Sequence, residues 1–175
     1  MLANFLDDLG VEPPVYIRKI DKKSHWDPEN FSSPEEKVRR IAEKVFTPGE
    51  KTEEYSIWLV NSNIDFCGIV ADLSANRNPM YQILDFICIT EQDLQECNLI
   101  PNQNDGKNCL FVKHLHYDIK LDQQQAQLLC QKLIGKSVVP IRCPKKRTQS
   151  ILEYQSQKGC KAIQKDSNGC ECEKL

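Results

Sequence analysis

Between Tyr55 and Leu94 the chain carries three apolar, β-branched and aromatic runs of strand length: YSIWLVN, FCGIVADLSANRN and ILDFICITEQDL. Runs of this composition between turn residues are the signature of buried strands, so this stretch constrains the fold more than any other. Residues 55–61 alternate without a polar face and are expected to form a central strand, buried on both sides. Asn61-Ser62-Asn63 is expected to turn a hairpin into a returning strand over residues 66–73, and residues 83–89 to add a third strand. The stretch reads as scaffold, with its thiols Cys67 and Cys88 packed inside it.

The rest of the chain supplies helices to cover that sheet. Ser33-Pro34-Glu35-Glu36 combines an N-cap serine, a proline at the first helical position and a glutamate three residues after the cap. Val38, Ile41, Ala42, Val45 and Phe46 then recur on one helical stripe. Thr90 with Asp93, and Asp122 with Gln125, mark two further helix starts, the second followed by Ala126, Leu129, Cys130, Leu133 and Ile134 and closed by Gly135. A short amphipathic helix is expected at Leu2, Phe5, Leu6 and Leu9, capped by Gly10; it is too short to hold alone and must dock. Beyond Pro13-Pro14, Val15, Ile17 and Ile20 suggest an edge strand or an ordered arm. Residues 109–121 read as a fourth strand, residues 138–142 as an edge strand, and residues 148–158 as a last helix.

The expected fold is therefore a two-layer α+β domain: a mainly antiparallel sheet of four to five strands with helices on one face, followed by a cysteine-bearing tail. The organisation expected is an N-terminal helix and arm (1–32), a core (33–142) and a basic C-terminal element (143–175). A chain of 175 residues with 40% hydrophobic and 27% charged residues suits one such domain, which at this size buries roughly 70% of its unfolded surface. No apolar run approaches the ~20 residues of a membrane helix, and the N-terminus carries acids where a signal peptide carries Lys or Arg, so a cytoplasmic protein without a membrane partner is expected.

Nine cysteines cannot all pair. Cys67, Cys88, Cys97, Cys109 and Cys130 lie in apolar runs and read as packing. Cys143, Cys160, Cys170 and Cys172 lie among polar residues, where burial does not account for them. Their number fits a tetrahedral zinc site, although the spacing C-x16-C-x9-C-x-C lacks paired knuckles; an iron-sulfur cluster or a Cys170/Cys172 redox pair would use the same thiols. A weaker metal candidate is His114 with His116, which would share one face of a strand, with Asp118 or His25 as a further ligand.

From Arg142 to Leu175 eight basic residues face four acidic ones, although the whole chain carries −2. Arg142, Lys145, Lys146 and Arg147 form a compact run suited to phosphates, Arg77 lies in a loop at a strand end, and Trp26 in an otherwise polar loop reads as packed against the domain surface, with an aromatic anchor for a partner as the sharper alternative. No nucleophile elbow, zinc-protease helix or phosphate-binding glycine loop occurs. The reading is a small binding or accessory protein that presents a basic, zinc-ordered C-terminal element to a nucleic acid or nucleoprotein partner. The alternative is a metal-dependent or thiol-redox enzyme using His114 and His116 or the C-terminal cysteines.

Overall fold

The computed structural model describes residues 5–8, 10–27, 31–46, 54–75, 82–104 and 112–157. Cys109, Arg77, Cys160, Cys170 and Cys172 lie outside them, as does the expected loop around Arg77. Six strands form one sheet: β1 (Val15–Ile20), β2 (Glu54–Val60), β3 (Leu84–Ile89), β4 (Asn102–Gln103), β5 (His116–Lys120) and β6 (Ile141–Cys143). Their order is β4-β5-β2-β1-β3-β6, and every pairing is antiparallel. The α+β class and the antiparallel sheet are as expected, with six strands where four to five were anticipated.

The layering differs from expectation. Along each strand alternate residues point to opposite faces, and here both faces are apolar. Val15, Ile17, Trp58, Val60, Leu84 and Phe86 belong to one buried cluster, and Ile20, Tyr55, Ile57, Ile87, Ile89 and Ile119 to another. The first cluster is covered by α3 (Asn63–Ala75) and α6 (Lys145–Gln157), the second by α2 (Pro34–Val45), α5 (Gln123–Gly135) and α4 (Glu91–Glu96). Helices therefore pack on both faces, which makes three layers. The four-residue helix α1 (Phe5–Asp8) docks on the α3 side: Leu6 is buried, its N–H donates to Asn63 Oδ1 at 2.7 Å, and Gly10 takes φ +65° to close the turn.

The extra layer traces to residues 66–73, expected as a returning strand but folded as the body of α3. Phe66, Cys67, Ile69, Val70 and Ala71 are all buried, because α3 is wedged between the sheet and its neighbours and has no solvent face wide enough to show as a polar stripe. A local helix-start signal exists: Ser62 Oγ accepts from Asp65 N at 3.3 Å while Asp65 Oδ2 accepts from Asn61 N at 3.0 Å. The supposed edge strand β1 is instead interior, between β2 and β3. It carries Arg18 into the core, where Nε donates to Val45 O and Nη1 to Ser56 O, both at 2.9 Å, with the guanidinium 5.2 Å from the ring centroids of Phe46 and Tyr55. Burial pulls this group down to about 10, and the carbonyl at the end of α2 gives its charge a partner.

The three anticipated helix caps are formed. Ser33 Oγ accepts from Glu36 N at 3.2 Å, and both Thr90/Asp93 and Asp122/Gln125 make reciprocal capping boxes. Asp93 is buried and also bonded to Lys136 beyond α5. Burial alone pushes its carboxyl up, but the Lys136 ammonium and the Thr90 hydroxyl and N–H outweigh that, and the net direction is down. A carboxyl depressed in the folded state stabilises it above the unfolded value near 3.9 and loses that contribution as pH falls through the folded value. In Asp93→Asn the acid limb of a stability–pH curve below about pH 4 should be shallower and the neutral-pH stability lower. Urea midpoints at stepped pH test this, and parallel curves for the two proteins would sink it.

One close approach fixes α3 against the segment before β5. A Cβ on Gly68 would stand 2.7 Å from Val112 Cγ1, and Val112 is buried and stiff at χ1. Alanine gains about 1 kcal/mol over glycine inside a helix, whereas overpacking costs roughly 1–3 kcal/mol, so Gly68→Ala should destabilise by about 1 kcal/mol. In a Val112→Ala background the same change should become neutral or stabilising, and a double-mutant cycle by urea unfolding reads the difference.

Candidate functional site

Asp85 is the buried acid that fixes a basic side chain, Arg142, at one end of the sheet. It sits inside the buried run of β3, only 4% exposed, where a carboxylate is costly without partners. Its partners come from β6 and from the turn that follows β1. In register it lies opposite Ile20 of β1 and Arg142 of β6. Arg142 grips it with two donors, Nε to Oδ1 at 2.8 Å and Nη2 to Oδ2 at 3.0 Å, and the backbone N–H of Lys23 donates to Oδ2 at 2.9 Å. The two hydrogen bonds to the carboxylate, together with its charge, raise the Arg142 pKa above its ordinary value.

Strand direction then decides what lies beyond. Both β1 and β6 run antiparallel to β3, so they run parallel to each other and leave the sheet at one end. Past β1 come Lys22 and the 3-10 turn Lys23–His25; past β6 come Pro144 and the first turn of α6 with Lys145, Lys146 and Arg147. Lys22, Lys23, Lys145 and Lys146 are exposed and make no ion pair among the described residues, while Asp21 at the same end pairs with Lys19 at 3.1 Å. Neighbouring strands lie about 4.8 Å apart, which puts the two exits about 10 Å from each other. Two lysine pairs from distant parts of the chain thus leave the sheet at the end where Asp85 holds Arg142. His25 lies in the same turn, its Nδ1 shielded from solvent and without a hydrogen-bond partner among the described residues.

The other anticipated site residues fall elsewhere. Trp26 is a core residue: it is 5% exposed, and its Nε1 donates to Val138 O at 2.8 Å, so its aromatic surface is turned inward. The chain places Cys143 on β6 with no exposed surface and its Sγ 3.5 Å from Thr148 Oγ1, which corrects the reading that burial does not account for it. Burial pushes this thiol up, as it does Cys67, to about 11, and Cys130, to about 12; these side chains pack as small hydrophobes.

His114 and His116 do not share a strand face. The expected strand over residues 109–121 is shorter than anticipated, and His114 belongs to a 3-10 turn, Lys113–Leu115, exposed to solvent. His116 is buried against Trp58, ring centroids 5.4 Å apart. Its Nδ1 lies 2.7 Å from Asn104 O, an atom that only accepts, so this nitrogen carries hydrogen. The Nε2 stands 3.8 Å from Asp118 Oδ1, and the Ser56 hydroxyl donates to that same oxygen at 3.1 Å. Serine is thus bonded to the aspartate rather than to the imidazole, and no activated-nucleophile pair results. Among the described residues no group of three or more His, Cys, Asp or Glu side chains is placed to hold a metal ion.

Lys22, Lys23 and Asp85 do not stand out in the sequence as site residues. The one signal is Asp85 itself, an acid inside LDFICI, which implies a basic partner without naming it. No protein-family model matches the chain, and neither a curated protein nor a solved structure matches it. No helix of the described residues is long and apolar enough to cross a membrane.

Proposed function

We propose that this chain is a binding protein whose basic end of the sheet engages a polyanion, a nucleic acid either bare or within a nucleoprotein complex. The observation that carries the reading is that Lys22 and Lys23 leave the sheet at the same end as Lys145 and Lys146, the end where Asp85 holds Arg142. The net charge of the whole chain is −2, so attraction to a polyanion has to come from a local patch and not from the overall charge. Phosphates neutralised at such a patch release counterions, and affinity then falls steeply with salt. Zinc belongs to this proposal as an ordering ion for the C-terminal element through Cys160, Cys170 and Cys172; Cys143, packed into the core, is left out of that ligand set.

The test is fluorescence anisotropy of a labelled generic RNA or DNA titrated with the full chain between about 50 and 200 mM salt. Binding that weakens linearly in a log–log plot is the expected result. Absence of binding at the lowest salt removes the reading.

A further inference from the structure

Most exposed basic runs are solvated faces with mobile side chains. Arg142 differs because its guanidinium is already oriented. Asp85, with a side chain only 5% exposed, takes two of the five guanidinium N–H groups and is itself tethered by the Lys23 N–H. The other three have no acceptor among the described residues, and 48% of the Arg142 side chain is open to solvent. A side chain held this way has given up its rotamer freedom before any ligand arrives, which lowers the cost of binding. Its free donors suit a phosphate, and the lysine exits, about 10 Å apart, leave room for neighbouring phosphates of the same backbone.

We propose that Arg142, pinned by Asp85, is the anchor for one phosphate of a nucleic-acid backbone, with Lys22, Lys23, Lys145 and Lys146 neutralising the phosphates on either side. This rests on the polyanion-binding reading and specifies which residue orients the contact. Backbone phosphates carry no sequence information, so recognition here is independent of base sequence.

Two effects oppose each other in the decisive variant. Asp85→Asn deletes a negative charge beneath the patch, so a purely coulombic patch would bind more tightly. Exposed charge pairs are worth little in water, whereas a charge-assisted hydrogen bond in fixed geometry is worth considerably more. Loss of the clamp therefore wins, and affinity drops.

The experiment uses the full chain with fluorescein-labelled oligothymidylate and a mixed-sequence DNA, both of about 20 nucleotides, which exceeds the ~4–16 nucleotides typical of single-strand sites. Phosphatidylserine vesicles form a separate arm. Wild type should bind both oligonucleotides equally, and Arg142→Lys and Asp85→Asn should each weaken binding about tenfold. Because Asp85 is buried its variant can fail to fold; Arg142→Lys, which keeps the charge and changes an exposed group, then decides alone. If wild type binds and Lys145→Ala/Lys146→Ala weakens it, but Arg142→Lys does not, the anchor is overturned and the polyanion reading stands. Binding to vesicles alone, or to neither, overturns both.

Discussion

Replacing Phe86 with alanine should cost about 4 kcal/mol of stability, the largest single effect expected in this fold. Phe86 lies on β3 between β1 and β6, opposite Lys19 and Ile141 in register, and has no exposed surface. Its ring meets that of Phe66 on α3 edge to face, centroids 5.5 Å apart and planes at 66°. Truncation removes that pair, worth about 0.5–1.5 kcal/mol beyond its area, and leaves a cavity that an interior strand with a helix above it cannot collapse to fill. Against a total of roughly 5–15 kcal/mol for a domain, a loss of this size makes the variant marginal. Urea unfolding measures it, with exposed Ile100→Ala as the comparison expected to change stability by less than about 0.5 kcal/mol. A cost below about 1 kcal/mol for Phe86→Ala would mean that α3 does not pack on β3 as described.

The second large effect concerns binding. Changing Lys22, Lys23, Lys145 and Lys146 together to alanine should weaken oligonucleotide binding by two orders of magnitude or more in about 0.1 M salt, because the salt slope of single-strand binding carries roughly 0.7 for each phosphate that a lysine neutralises. Removing four ammonium groups should flatten that log–log slope by about 3. All four side chains are exposed and make no ion pair among the described residues, so thermal stability should change little. The control is the two-lysine variant Lys132→Ala with Lys136→Ala, whose ammonium groups are engaged by Glu96 and Asp93. A loss of about half as many orders of magnitude for the control, the same per lysine removed, would show that only total charge matters and that the β1–β6 end has no special part.

How much of this is legible in the sequence depends on how far apart the interacting groups are in the chain. The caps at Ser33, Thr90 and Asp122 can be read in advance because each closes hydrogen bonds over three residues. The stripes of α2 and α5 are equally plain, since each has one buried side and one wet side. Residues 66–73 mislead for the opposite reason: a helix enclosed on nearly every side and a strand buried on both faces are each continuous apolar runs. Trp26 packs against the domain as its preferred reading expects, but a polar loop composition says nothing about Val138, the residue more than a hundred positions away that accepts its N–H.

The candidate site shows the same division. The run Arg142, Lys145, Lys146 and Arg147 is visible as a cluster because it is nearly contiguous. Its two lysine partners and its buried carboxylate are not, since nothing near residues 22–23 or 85 refers to residue 142. The expected His114/His116 pairing rests on a strand periodicity that gives way to a 3-10 turn at Lys113–Leu115, just where a shared strand face would require extended backbone.

Local chemistry alone determined the helix starts, the strand-forming runs at residues 55–61 and 83–89, the α+β class and the presence of a basic segment near the C-terminus. Only the tertiary structure decided that the sheet is covered on both faces, that β1 is interior, and that β1 and β6 leave at the same end. Strand order is set by which non-local pairings bury the most apolar surface while satisfying backbone hydrogen bonds, a condition on the whole chain that no short window expresses. Asp85, an acid inside LDFICI, is where the two meet: it stands in the sequence as an unexplained charge, and the order of the strands supplies its arginine.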